Sequence, residues 1–149
     1  MNGRVYVASF ENVTIAAVQD LFNLLMPTDV HAEIISMYLG QTTLTTQENL
    51  EIKGTRATTN GSVGSTPAMN PTDPSMPTAD GVIRANDTTQ GTPGVVLLER
   101  VWNVLIPFEY LPVPDARIQV PGLGRFIFEL ETTPTSMTAY GEIKWKEFG

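Results

Sequence analysis

Val5 and Val7 alternate with Tyr6, Ala8 and Phe10, and this pattern of β-branched and aromatic residues predicts a first strand that Asn12 to Ile15 extends. The next stretch fits two descriptions. Ile15, Val18, Phe22 and Leu25 fall near a helical stripe, whereas Asp20, Phe22, Leu24 and Met26 share one face of a strand, and Pro27 ends the segment in either case. Ala32 to Gln41 places Ile35, Met37 and Leu39 on one face, and Glu48 to Lys53 sets Leu50 and Ile52 against Glu51 and Lys53. Both are half-buried strand patterns. Val95 to Leu111 is an apolar run interrupted at Pro107, rich in Val, Trp and Phe, which predicts two strands joined by a bend.

Arg117 to Val120 alternates again, and Val120-Pro121-Gly122-Leu123-Gly124-Arg125 predicts a hairpin turn with glycines at positive φ, leading into Phe126, Phe128 and Leu130. The last strand sets Met137, Ala139, Gly141, Ile143 and Trp145 against Thr138, Glu142, Lys144 and Lys146. Seven to nine short strands without a sustained helix predict one all-β domain over 1–149. Its first and last segments side by side in one sheet suit a jelly-roll-like β-sandwich.

Between the two strand-rich halves lies Gly54 to Gly94, a Pro/Gly/Thr-rich stretch with almost no core-forming side chains. Ser65-Thr66-Pro67, Asn70-Pro71-Thr72-Asp73-Pro74-Ser75-Met76-Pro77 and Thr88-Thr89-Gln90-Gly91-Thr92-Pro93-Gly94 are turn and extended-chain chemistry. A loop of this length in a compact domain usually has a function. Thr66, Pro67, Asn70, Pro71, Pro74, Met76 and Pro77 are its candidate contact residues, with Tyr110 in Phe108-Glu109-Tyr110-Leu111-Pro112 a candidate interfacial aromatic. Removing 60–90 is expected to leave a folded domain.

A chain of 149 residues can bury one sizeable core, and its formal charge of −7 without a Lys/Arg cluster argues against nucleic acid or an anionic membrane as the partner. Cysteine is absent, so stability must come from packing or oligomerisation. Neither a signal peptide nor an apolar run long enough to span a bilayer is visible, which predicts a soluble product made in a cytoplasm.

Catalytic signals are weak. His31 is the single histidine and follows a turn at Pro27-Thr28-Asp29, no serine sits in a nucleophile elbow, and zinc ligands are lacking. Asp73, Asp80 and Asp87 are equally spaced but fit no calcium loop, and are expected to be solvated turn carboxylates. Glu99, Glu109, Glu129 and Glu131 are expected on solvent faces. Phe126, Phe128 and Trp145 are expected in the core. No catalytic, metal or cofactor residue is assigned, so the chain reads as a non-enzyme.

Phe10-Glu11-Asn12-Val13, Gln19-Asp20-Leu21-Phe22, Gly61 to Pro67, Tyr110 to Arg117 and Tyr140 to Glu147 together resemble small head decoration or cement proteins of tailed bacteriophages. The resemblance implies a jelly-roll-like subunit, a homotrimer made in the host cytoplasm, that sits on the virion's outer surface and reinforces the major capsid protein shell. The alternative is a trimeric receptor- or carbohydrate-binding head of a tail fibre or spike, with Tyr110 stacking on sugars. A hydrolase on a β scaffold is the third class.

Overall fold

Alternation along the strands decides what faces inward, and the computed structural model, which describes residues 3–149, follows it closely. The strands are β1 (Arg4–Ile15), β2 (Gln19–Leu25), β3 (His31–Gln41), β4 (Asn49–Arg56), β5 (Asn70–Pro71), β6 (Val82–Asp87), β7 (Val95–Asn103), β8 (Phe108–Tyr110), β9 (Gln119–Val120), β10 (Arg125–Leu130) and β11 (Met137–Phe148). A 3-10 turn at Pro114–Ala116 is the one helical element among the described residues.

Two antiparallel sheets form a sandwich, one in the order β5-β1-β11-β3-β8 with β9 also on β3, the other in the order β6-β2-β10-β4-β7. Without the short β5 and with β6 set aside, the orders β1-β11-β3-β8 and β2-β10-β4-β7 are those of a jelly roll. The first and last long strands pair from Arg4 opposite Glu147 to Ile15 opposite Met137. Tyr6, Ala8 and Phe10 face inward, as do Met137, Ala139, Ile143 and Trp145, and Phe126, Phe128 and Trp102 complete the bulky interior.

Two expectations change, and one open reading resolves. Ile35 is an extra residue at a bulge opposite Lys144 and Trp145, so Ile34 takes the inward position before it and Met37 and Leu39 after it. The ambiguous stretch before Pro27 is a strand from Gln19 to Leu25, with a second bulge at Leu21.

The second correction concerns the hairpin. β9 pairs with β3 in one sheet and β10 with β2 and β4 in the other, so residues 121–124 cross between sheets. No described glycine has positive φ; Leu123 takes that role at φ 60°. Gly122 is required instead by close approach, because a Cβ there would collide with the carbonyl oxygen of Thr28.

Candidate functional site

The segment 54–94 is more structured than its composition suggests. β4 runs to Arg56, and β6 lies within the segment, paired to β2 from Asp20 opposite Asp87 to Leu25 opposite Val82. Ile83 and Ala85 of β6 are buried in the core. β5 adds Asn70 and Pro71 to the edge of β1. What remains is a strap whose rungs are internal: Ser62 bridges Thr89, Ser65 bridges Ala85, and the Thr58 N–H donates to the Thr92 carbonyl at 3.0 Å. Excising 60–90 would therefore remove a core strand, which corrects the expectation of an intact body.

Two buried carboxylates tie the strap down. Glu147 continues the inward face of β11 and is fully buried. Its Oε1 accepts from Trp145 Nε1 at 3.0 Å and from the Gly81 N–H at 3.0 Å, and its Oε2 accepts from the Asp80 N–H at 2.9 Å. Arg4 lies 3.9 Å from the same carboxylate and pairs with Asp80. The Tyr6 hydroxyl, reaching out of the core, donates to the Pro77 carbonyl at 2.9 Å. At the other end Asp20 Oδ2 accepts from the Gly91 N–H at 2.8 Å.

Asp20 belongs to a row of charged residues that crosses the whole second sheet in register: Asp87, Asp20, Glu129, Lys53 and Glu99 on β6, β2, β10, β4 and β7. Glu129 alternates with the inward Phe128 and Leu130, so it points away from the sandwich core. The strap covers that face, and Glu129 and Asp87 are buried, which corrects the expectation that both are solvated. A Cβ on Gly61 would come within 2.5 Å of Asp20 Oδ2, so only glycine lets the strap pass this close.

Burial raises the Asp20 carboxyl to about 6, against the lowering effect of the Gly91 N–H, and neighbouring Asp87 adds to the rise. Glu129 is pushed up to about 8 by burial first and by Glu131 second. Asp87 is held by Arg84 through two contacts, Nε to Oδ2 at 3.0 Å and Nη2 to Oδ1 at 2.7 Å.

Of the predicted contact residues, Thr66, Asn70, Pro74 and Pro77 are exposed and Pro67, Pro71 and Met76 half-buried, all on the strap. Asp73 caps its tip by accepting from the Ser75 N–H at 2.9 Å and the Ser75 hydroxyl at 2.7 Å. Tyr110 is remote from them in its sheet, half-buried on β8, the end strand opposite β5. It lines an open groove of about 370 Å³ with Ser36, Met37, Tyr38, Glu109, Leu111 and Glu142.

His31 stacks on Phe148 at 5.0 Å between ring centres, at the start of β3. Among the described residues no group of three or more His, Asp or Glu side chains is arranged to hold a metal ion. Asp20 and Glu129 are adjacent carboxyls, but a substrate would have to displace the strap to reach them.

Sequence reasoning missed Glu147. Its parity with Met137, Ala139, Gly141, Ile143 and Trp145 was the available signal. No protein-family model matches the chain, and neither a curated protein nor a solved structure matches it.

Proposed function

We propose that this chain is a structural binding subunit whose working surface is the strap, and that its partner is the outer face of a major capsid protein shell, as the resemblance to phage decoration proteins implies. The supporting observation is that the strap is anchored before any partner arrives, by Glu147 at residues 80 and 81 and by Asp20 at Gly91. A surface fixed in advance docks without the ordering cost that a mobile arm incurs, so its contacts contribute more fully to affinity. Thr66, Asn70, Pro74 and Pro77 stand exposed on this mount. In this account the subunit is not an enzyme, and homotrimers reinforce the shell through surface area.

Cosedimentation with expanded capsid shells tests it. The intact protein pellets with shells at a saturable ratio, and replacing Thr66, Asn70 and Pro77 together by Asp weakens binding at least tenfold while the melting temperature holds. Unchanged binding by that variant would remove the strap from the contact.

The groove at Tyr110 favours a second reading, a carbohydrate-binding head. Tyr38 and Tyr110 line it beside Glu109 and Glu142, which is suitable chemistry for a sugar's apolar face and hydroxyls. A glycan array separates the two, since binding abolished by Tyr110→Ala would support only the second.

A further inference from the structure

The two lateral sides of the sandwich are treated differently. On one side, β5 carries Pro71 and β6 is capped by the Ser65 bridge to Ala85, so neither edge offers a free ladder. On the opposite side β7 and β8 end their sheets without another strand beyond them. β7 is nine residues long and contains neither proline nor lysine. The same side collects exposed apolar side chains: Val95, Val101, Ile106, Leu111 and Val113 are each more than 60% exposed.

We propose that this β7–β8 side is the interface through which the chain binds further copies of itself. A free strand edge flanked by exposed apolar side chains is a surface that a second copy can cover. Charge also favours a second copy. Between β7 and β8 runs an open groove lined by Leu98, Phe108, Tyr110 and Leu111, and its two charged residues are Arg100 and Glu109. They have opposite signs, both are exposed, and neither forms an ion pair among the described residues. Rotational symmetry brings Arg100 of one subunit to Glu109 of the next and leaves the apolar stretch between matching surfaces.

This inference concerns the chain's own copies and holds whether or not a capsid is the partner. Light scattering on the purified full chain at 10–100 µM (on the order of 10⁻⁵–10⁻⁴ M, where interfaces of standard size are occupied) is expected to give the mass of two or three subunits. Arg100→Glu and Glu109→Arg are each expected to weaken association at least tenfold, and the double variant R100E/E109R to restore it. Leu111→Lys, in an exposed position, should give a folded monomer by circular dichroism. A monomeric wild-type protein would overturn the proposal, as would an oligomer indifferent to the single swaps and to Leu111→Lys. A double variant no better than either single one would overturn the pairing.

Discussion

The indole N–H of Trp145 donates to the carboxylate of Glu147, two residues along the same inward face of β11, at 3.0 Å. One of the core's two tryptophans thus orients the acid that receives the Asp80 and Gly81 amides. Replacing Glu147 with Ala would leave the buried Trp145 and Gly81 donors and the part-buried Asp80 amide without their acceptor. We expect Glu147→Ala to cost roughly 3 kcal/mol and Glu147→Gln about half of that, since one oxygen remains to accept. Urea unfolding measures both, and a loss below about 0.5 kcal/mol for the alanine variant would remove the anchor.

Asp20 and Glu129 set the pH dependence. Both acids have pKa values in the folded chain above their ordinary ones, so the folded state retains protons that the unfolded chain releases. Stability from these groups is therefore full below the ordinary carboxylate range and declines as pH rises through about 6 for Asp20 and about 8 for Glu129. Glu129→Gln is expected to flatten that decline and to raise stability at pH 9 by about 1–3 kcal/mol, with little change at pH 4. Thermal melts across this range check it; a wild-type protein more stable at pH 9 than at pH 5 would contradict the assignment.

Val63 is a β-branched residue at φ 64° and is 71% exposed on the strap. The conformation is strained and little packing offsets it. Asn tolerates positive φ without the entropy cost of glycine, so Val63→Asn should stabilise by about 1 kcal/mol. A destabilised variant in the same melt would show that the valine side chain contributes more than its exposure suggests.

Cutting the chain distinguishes strap from scaffold. Deleting 60–90 removes Ile83 and Ala85 from the core and the Asp80 and Gly81 amides that donate to Glu147, so that protein should aggregate or fail to melt cooperatively. Replacing only 73–75, the exposed tip, with Gly and Ser should cost about 1 kcal/mol or less. Calorimetry on the two variants reads the contrast.

Much of the sandwich was legible in local pattern. The parity of β11 and the alternation in β1 identify inward faces because each strand has one face on the core. Ile35 misled because a bulge inserts one residue and inverts parity beyond it, and bulges depend on the partner strand as much as on the strand itself. Glu129 misled for a different reason. Its outward parity was correct, but the strap covers that face, and nothing near residue 129 encodes a cover contributed from residues 61–64 and 90–91. The turn at 121–124 had hairpin chemistry, yet which sheet each flank joins is decided by β3 and β2, distant in sequence. β6 was hidden because its six residues sit inside a Pro/Gly-rich stretch and carry two inward apolar side chains, Ile83 and Ala85.

The central claim is that the strap is fixed to the sandwich before any partner is met. Amide hydrogen exchange on the free protein tests it most directly. The Gly81 and Gly91 amides, which donate to Glu147 and Asp20, and the Ser62 and Ser65 amides within the strap are expected to exchange as slowly as those of β2 and β10. Exchange of these four amides at the rate of an unstructured peptide, with the sheets still protected, would contradict it.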